Sequence, residues 1–553
     1  MTKLRAFRTF ILVTIFLLPA VLHSQVQLRD TTVTLQHHTF ELNDDYSMST
    51  YSTNDNDIQQ VQFNGKVIEN ELIRLVILPE YGARVLSFVY KPTNHEYLYQ
   101  SECGSPYGMN DGNFYYDWLM VYGGIFPTFP EPEHGKTWLL PWSYNVEKNT
   151  SDTVIISMEY TDTTAYENAP GSFNNGITNI TCRIEVGVYA GSSLWDFNVN
   201  LKNNNTSDVN YEYWTCTTLT PGSDIGNTGS PLNSEIVVPI ENYEAAWSPG
   251  SWIGNYGSLY DFTNINYLSK WDDMGIAYAH NLVDNYWGVI NHDNNEGIFR
   301  ISENIETPGM KFWTWGKYNV DNNLYDFSNG GKDNYIELWA GVSNAFFNDA
   351  TLSALEEISW NEAYCPTVNM SGISKINNQL AVNFGWEQNT ASVYYELLAF
   401  RPNIDYRINM YLTGDNNYPV ADQTITANAA GNSEDFNMDF IANGDYTIGF
   451  EVYKQNDALI LFAEKDITVS MVSTNELYTA NSMRIISKGN RKIHIALETA
   501  ENYKLHIYNT NGQLISNKGF TGTTCEVTLP LNGMYIVNVV SNNSSFSDKI
   551  VVK

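Results

Sequence analysis

Short runs of alternating apolar and polar residues repeat along most of this chain, and they restrict its fold more than any other sequence feature. Between residues 61 and 365 such runs occur, for example, at 72–78, 153–160 and 194–201, with clusters of asparagine, aspartate and glycine between them. A period of two places the apolar side chains on one face of a β-strand, and the polar clusters are typical of turns. The pattern predicts a large antiparallel β domain over residues 61–365, with a sandwich as its natural architecture.

The segments on either side of this domain are also predicted to be β-rich. Residues 366–472 contain strand-like runs at 379–384, 392–400 and 446–453. Their length of roughly a hundred residues suits an immunoglobulin-like β-sandwich. Residues 25–60 are polar and predict a leader strand followed by a linker.

The last segment, residues 477–553, predicts a small β-sandwich. It contains a run at 503–515 that includes the hairpin-forming pair Asn511-Gly512, a Gly-x-Tyr strand within 529–537 and a terminal strand at 549–553. In this order, these elements resemble the C-terminal sorting domain of the type IX secretion system. The resemblance implies that the type IX secretion machinery is a partner. It also implies passage through the outer membrane, with release or attachment at the cell surface.

The amino terminus carries an export signal of a different kind. Lys3, Arg5 and Arg8 precede an apolar run at residues 10–18, and small residues follow. This arrangement predicts a secretory signal peptide over residues 1–24. No later stretch approaches the roughly 20 apolar residues that a membrane span needs, so the sequence predicts a soluble exported protein without a transmembrane segment.

Composition excludes some partners and leaves others open. The chain has 62 acidic and 30 basic residues, a formal net charge of -32, which opposes nucleic-acid binding. A sulfated or uronic-acid glycan would therefore need local lysine or arginine. The five cysteines are widely spaced and show no metal motif, and no cofactor is predicted. Cys182 and Cys216 lie in strand-like contexts, either as a disulfide or as two free thiols.

Four separated motifs in the large domain resemble one family. Residues 70–87 read as strand, Pro-Glu-x-Gly turn and strand, which resembles the first hairpin of galactose-mutarotase-like (aldose 1-epimerase-like) β-supersandwich proteins. The stretch 123–134, with Gly-Gly, Phe-Pro and a histidine, resembles an uncharacterised branch of that superfamily, as do 308–316 and 335–341. The resemblance spans residues 61–365 and implies a β-supersandwich that binds sugar.

The resemblance also implies a catalytic carboxylate. In characterised mutarotases a late-strand glutamate removes the proton from the anomeric hydroxyl, and a histidine protonates the ring oxygen. Glu337 fits the glutamate, because it lies between Tyr335 and Trp339 on a predicted strand whose period puts all three side chains on one face. Tyr335 and Trp339 are then predicted substrate contacts. The alternative is a structural carboxylate bound to Arg84 or Lys311.

The histidine is assigned by elimination. His95 and His292 lie in predicted turns exposed to solvent, and His280 follows an apolar run where a core histidine is expected. His134 therefore becomes the candidate acid. It ends the loop 121–134, whose glycines and prolines predict a stiff surface segment without regular ladder pairing.

Aromatic residues offer platforms for sugar rings. All fourteen tryptophans lie within residues 118–386. Lys311, Trp313 and Trp315 alternate, so one strand face presents a cation and two aromatic rings. Packing inside the β core is the alternative explanation.

The predicted function is that of a secreted or cell-surface carbohydrate-active protein. Its glycan-binding cleft would be lined by Arg84, His134, Trp313 and Glu337, with Glu337 as base and His134 as acid. The stretch 211–216 lacks the mid-domain histidine of characterised mutarotases, so the reaction stays open among epimerase, glycosidase and lyase chemistry. The alternative is a non-catalytic glycan-binding or adhesive surface protein.

Overall fold

The protein is described by a computed structural model that covers residues 25–42, 48–52, 54–101, 103–104, 122–130, 135, 137, 140–163, 177–317, 334–414, 416–455, 457–470, 483–487, 491–542 and 545–552. The chain divides into two compact units, Met1–Val469 and Ser470–Lys553. Within the described ranges no helix is long and apolar enough to cross a membrane. The short 3-10 turns include Asp55–Asp57, Pro249–Ser251, Phe262–Asn264 and Leu268–Lys270.

Strands dominate the first unit. Up to residue 367 they are β1 (Gln27–His38), β2 (Phe40–Leu42), β3 (Met48–Tyr51), β4 (Ile58–Glu69), β5 (Ile73–Leu78), β6 (Arg84–Tyr90), β7 (His95–Leu98), β8 (Ile125–Thr128), β9 (Ser143–Asn149), β10 (Thr153–Thr161), β11 (Ile180–Tyr189), β12 (Trp195–Asn203), β13 (Val209–Tyr211), β14 (Trp214–Ser223), β15 (Glu235–Val237), β16 (Asn242–Trp247), β17 (Leu259–Asp261), β18 (Gly275–His280), β19 (Tyr286–Asn291), β20 (Glu296–Ile301), β21 (Gly309–Thr314), β22 (Ile336–Gly341), β23 (Ala350–Leu352) and β24 (Glu357–Thr367). They pair antiparallel, and the prediction of an all-β fold is confirmed.

Two large sheets organise these strands. Over the described residues, the large sheet has the order β1-β4-β5-β6-β7-β14-β22-β21-β18-β16-β17, with β8 paired to β14 and β6. The second sheet has the order β15-β19-β20-β24-β12-β11-β10-β9. β13 with β23, and β2 with β3, form separate two-stranded sheets. The predicted leader strand is β1, which pairs with β4 along its whole length and so begins the large sheet.

The two sheets pack face to face around one apolar core. Phe88 of β6 meets Trp195 of β12 edge to face, with ring centroids 5.7 Å apart. Both residues belong to the same buried cluster as Phe299 and Phe312, which come from one strand of each sheet. The cluster continues past residue 365, because side chains at 376–400 join it. The predicted boundary at 365/366 stays a prediction.

A buried polar cluster crosses this core. Arg300 on β20 donates from Nε to Glu362 on β24 at 2.9 Å, and both side chains are essentially inaccessible. The same carboxylate accepts hydrogen bonds from Trp360, Tyr364 and Thr215. Its oxygens are therefore well satisfied, which is the condition under which a buried ion pair is tolerated.

The remainder of the first unit forms two four-stranded sheets. Its strands are β25 (Lys375–Ile376), β26 (Leu380–Glu387), β27 (Ser392–Ala399), β28 (Asp405–Thr413), β29 (Tyr418–Thr426), β30 (Asn432–Asn437), β31 (Gly444–Lys454) and β32 (Leu459–Val469). The sheet orders are β25-β26-β27-β30 and β29-β28-β31-β32. Phe384 of one sheet stacks on Phe450 of the other at 5.1 Å, as expected for a sandwich.

The second unit is a five-stranded antiparallel sheet within its described residues. Its strands are β33 (Met483–Ser487), β34 (Lys492–Asn509), β35 (Leu514–Thr528), β36 (Gly533–Val540) and β37 (Ser545–Val552). β35 pairs with β34 on both sides of a register shift between Ala496 and Glu501. On its other edge, β34 pairs with β33 before the shift and with β36 after it. Their apolar side chains share one core.

Candidate functional site

One face of the large sheet points away from the second sheet and carries its own aromatic cluster. Along β22, the side chains of Ile336 and Leu338 enter the core between the sheets, while Trp339 belongs to the separate cluster with Phe126 and Trp214. We call this side of the large sheet the aromatic face. Successive side chains of a strand point to opposite faces of the sheet, so every second residue of each strand lies on the aromatic face.

Strand register aligns five side chains across the aromatic face. Phe126 lies opposite Cys216, Cys216 opposite Trp339, Trp339 opposite Lys311, and Lys311 opposite Tyr278. Directly opposite residues of antiparallel strands share a face, so these side chains form one row over β8, β14, β22, β21 and β18. The row brings together chain segments far apart in the sequence.

A second row contains the candidate carboxylate. Glu337 lies opposite Thr218 on one side and Trp313 on the other, and Trp313 lies opposite Ile276. The structure therefore places Glu337, Trp313, Lys311 and Trp339 on one face of two adjacent strands.

Glu337 is a buried carboxyl held by two donors. Its side chain belongs to a residue that is 6% exposed. Trp339 donates from Nε1 to Oε2 at 2.8 Å, and the Tyr335 hydroxyl donates to Oε1 at 3.3 Å. Burial raises the pKa of Glu337, against the opposing effects of the Lys311 charge and of the two hydrogen bonds. The group is thus biased toward its protonated form relative to a carboxyl in water.

Lys311 is also buried and rests between two aromatic rings. Its ammonium nitrogen lies 3.7 Å from the ring centroid of Trp339 and 4.5 Å from that of Phe346. Both distances are within the range of a cation–π interaction. The charge of Lys311 acts against the rise in the pKa of Glu337.

Arg84 lies in the first row, beyond Phe126, and is completely buried. Its guanidinium carbon is 3.8 Å from the ring centroid of Phe126 and 5.2 Å from that of Tyr81, and Nη1 donates to the carbonyl of Gly123. Within the described residues, Nε and Nη2 have no hydrogen-bond partner. Burial lowers the pKa of Arg84 to about 10, so it remains a cation at neutral pH.

The aromatic side chains divide into supporting and partly exposed groups. Tyr335 is buried and stacks on Tyr99 at 4.1 Å. Trp313 and Trp315 are only partly buried and meet edge to face at 4.7 Å, and Trp313 lies 5.8 Å from Tyr335. Trp315 follows the end of β21. Unlike Tyr335 and Trp339, these two tryptophans therefore have ring surface that a ligand could contact.

His134, the predicted acid, lies outside the described residues. The described part of its loop corrects one expectation: Ile125–Thr128, which includes Pro127, is a buried strand paired with β14. Among the described residues β8 pairs with β6 only at Ile125, so Pro127 is not required to donate to a ladder on that edge. Gly123 is required before it, since a Cβ there would lie 1.9 Å from the carbonyl oxygen of Tyr99, at a φ of +78°.

The two histidines expected in solvent are paired with carboxylates. His95 Nδ1 lies 2.6 Å from Glu296 Oε1, and His292 Nε2 lies 2.9 Å from Glu235 Oε2. The hydrogen bond with Glu235 raises the pKa of His292. Their partners are distant in sequence, so the turn context alone concealed both pairs.

His280, expected in a core, is partly exposed instead. It lines a cleft of about 640 Å³ beside the aromatic face, together with Glu244 and Tyr278. Glu244 lies opposite Tyr278 on the neighbouring strand β16, so it is a diagonal neighbour of His280. No local sequence pattern indicates Glu244, because its position beside His280 depends on strand pairing.

Glu212 is a second buried carboxyl that the sequence analysis missed. It lies between β13 and β14 and accepts a hydrogen bond from Trp214 Nε1 at 3.0 Å. Its other oxygen, Oε1, has no partner among the described residues. Burial raises the pKa of Glu212 to about 7, with a further contribution from the charge of Asp349.

The other titratable groups do not indicate a metal centre. Within the described residues, no three or more histidine, cysteine, aspartate or glutamate side chains are grouped to hold a metal ion. All five cysteines are free thiols, so Cys182 and Cys216 are unpaired with each other. Burial raises the pKa of the Cys216 thiol well above its ordinary value.

The second unit matches a known family of domains. Residues 489–553 match the family described as "Secretion system C-terminal sorting domain". The predicted sorting domain is therefore confirmed, and it indicates export to a secreted or cell-surface location. The predicted signal peptide lies outside the described residues.

Several solved structures match part of this chain. A TPR-domain containing protein from Parabacteroides distasonis matches with a TM-score of 0.51 at 16% identity, over 64% of this chain and 58% of that one. This chain thus spans less than two thirds of that protein. A galactose mutarotase-like protein from Clostridium acetobutylicum matches at 11% identity and TM-score 0.38, over 55% and 96% of the two chains. Another from Lactobacillus casei matches at 12% and 0.36, over 54% and 99%. At these identities the likeness concerns the fold alone.

Proposed function

We propose that this secreted or cell-surface protein binds a neutral or mildly charged glycan on the aromatic face, and that Glu337 transfers a proton to or from the bound sugar. The observation that carries the proposal is the position of Glu337. It is a carboxyl oriented by Trp339 and Tyr335 on the same sheet face as the partly exposed Trp313 and Trp315.

The aromatic pair supports sugar binding. The C–H faces of sugar rings favour aromatic surfaces, and Trp313 and Trp315 present two such surfaces at an angle of 72°. Trp313 lies directly opposite Glu337 on the neighbouring strand. A sugar ring stacked on Trp313 would bring its hydroxyls close to the strand that carries the carboxyl.

The environment of Glu337 supports acid–base chemistry. Burial raises its pKa, while Lys311 and the two donors limit that rise. General acid–base catalysis is most effective when the pKa of the catalytic group lies near the working pH, and a raised pKa moves a carboxyl in that direction. Glu337 would act as base toward a sugar hydroxyl, and His134 stays the predicted acid. The type of reaction stays open among epimerase, glycosidase and lyase chemistry.

Glycan binding without catalysis is the second candidate, and the burial of Glu337 favours it. The residue is 6% exposed, and each of its oxygens already accepts a hydrogen bond. In this candidate the carboxyl of Glu337 has a structural role, which is to hold Trp339 and Tyr335 in place on the aromatic face.

Turnover and binding separate the two candidates. The full-length protein is incubated with a panel of extracellular polysaccharides and followed for new reducing ends, for absorbance of unsaturated sugars and for change in optical rotation. Glu337→Gln should lower turnover by about 10²–10⁴-fold, the usual contribution of an acid–base group, and leave binding intact. Glu357→Gln, the same change at an exposed position, is the matched control.

Each outcome decides between the candidates. Full activity of Glu337→Gln would refute its catalytic role. Binding without turnover by the wild type, weakened by Trp313→Ala, would favour the non-catalytic candidate. Neither binding nor turnover across the panel would refute a glycan-directed function for the aromatic face.

A further inference from the structure

A second cleft, of about 360 Å³, lies within the first unit and shares no residue with the aromatic face. One wall comes from residues 189–194, between β11 and β12, and the other from residues 378–454 in the two four-stranded sheets. We call it the junction cleft. Its volume is in the range of small-molecule sites in proteins.

Hydrogen bonds fix the two walls to each other. The Ser193 amide donates to the carbonyl of Phe400 at 2.8 Å, and within the second wall the Phe400 amide donates to the carbonyl of Gln379 at 2.9 Å. Arg401 Nη1 donates to the carbonyl of Ala190 at 3.2 Å. The junction cleft is therefore a built part of one compact unit.

The charge of the junction cleft is opposite to that of the whole protein. Arg401 and Lys454 are its charged lining residues, and both are exposed. Among the described residues that line it, none is acidic. In a chain with 62 acidic and 30 basic residues, two cations in an acid-free cleft form a local positive site.

The other lining groups suit a polar ligand with an apolar side. Tyr189, Phe400 and Tyr406 supply aromatic surface, and Asn378 and Gln379 supply amide donors and acceptors. The Tyr189 hydroxyl donates a hydrogen bond to Asp196, so the ring of Tyr189, and not its hydroxyl, is available to a ligand. An acidic sugar has groups that match all three: an oxyanion for the cations, hydroxyls for the amides, and C–H faces for the aromatic rings.

We propose that the junction cleft binds an acidic sugar unit, with Arg401 and Lys454 holding its carboxylate or sulfate group. A long polyanion such as a nucleic acid is disfavoured, since the net charge of -32 repels it beyond the cleft. The site is independent of Glu337, so the protein would hold an acidic glycan even if the aromatic face had no catalytic role.

Calorimetric titration of the full-length protein tests this assignment. The probes are an oligogalacturonate, a sulfated galactan oligosaccharide and a neutral galactan oligosaccharide. The variant is Arg401→Ala/Lys454→Ala. The control, Arg29→Ala/Lys202→Ala, removes two cations that are about half exposed elsewhere on the first unit, so both proteins carry the same net charge.

At least one acidic probe should bind the wild type, and the two acidic probes tell carboxylate from sulfate. The cleft variant should weaken that binding by about 100-fold, since each charge-assisted contact is worth about tenfold. The control variant should bind as the wild type does. The proposal is overturned if neither acidic probe binds, or if the cleft and control variants bind the acidic probes with equal affinity. Circular dichroism verifies that each variant is folded.

Discussion

Glu212→Gln should change the pH dependence of the stability of the first unit. Burial raises the pKa of Glu212 from 4.5 to about 7. Between these pH values the native state keeps the proton, whereas the unfolded chain releases it. The raised pKa therefore contributes stability that is fully present below pH 4.5 and is lost as the pH rises through 7. At about 1.4 kcal/mol per pKa unit, the loss is about 3 kcal/mol.

Glutamine removes this dependence because it has no proton to release. Its amide oxygen can still accept the hydrogen bond from Trp214, and its amide nitrogen takes the place of the oxygen that lacks a partner. A buried donor without a partner costs about 1–3 kcal/mol at every pH. The informative quantity is therefore the difference in unfolding free energy between variant and wild type. It should shift by about 3 kcal/mol in favour of the variant from pH 4.5 to 8.

Urea denaturation followed by tryptophan fluorescence measures this difference. All fourteen tryptophans lie within residues 118–386, so the signal reports on the first unit and not on the sorting domain. Asp349→Asn is a useful second variant, because removing that negative charge should lower the pKa of Glu212 and shrink the shift. If the difference in unfolding free energy between Glu212→Gln and the wild type stays constant from pH 4.5 to 8, the pKa of Glu212 is not raised to about 7 and the reasoning is refuted.

Two further predictions concern the stability of the large sandwich, both measured by urea denaturation. Trp339→Ala should destabilise the first unit by about 3–5 kcal/mol, the usual cost of truncating a buried aromatic, and the partly exposed Trp313 should cost less than half as much. Equal losses would contradict the division into supporting and ligand-facing rings. Glu362→Gln should cost about 3–5 kcal/mol because it leaves the Arg300 charge buried without its partner, whereas Glu337→Gln should cost much less. Similar losses for the two glutamates would mean that both are structural ion-pair members.

The comparison of these two glutamates shows what the sequence could and could not predict. Both occur in the pattern aromatic-x-Glu-x-aromatic, at 335–339 and at 360–364. Period-two spacing puts each glutamate on the same face as its flanking aromatic residues. It does not tell which face points into the sandwich. Arg300 reaches Glu362 from a strand more than sixty residues away in the chain, so only the folded sheets separate the two cases.

Local patterns were sufficient for the strands and for the sorting domain, because alternation and turn residues act over short distances. They were insufficient for β8, where Pro127 argued against a strand. Among the described residues that strand pairs with β6 at Ile125 alone, and this is a property of the sheet rather than of the segment. The pKa of Glu212 was also beyond sequence reasoning, since it follows from complete burial.

The rows on the aromatic face determine how such a site can change during evolution. Substitutions at every second position of β14, β21 and β22 alter the surface while the core between the sheets keeps its side chains. Loss or gain of one residue within β22 would exchange the two faces: Glu337 would enter the apolar core, and Leu338 would take its place. Variation of the aromatic face that keeps the fold is therefore expected through point changes and loop lengths, with strand lengths held constant.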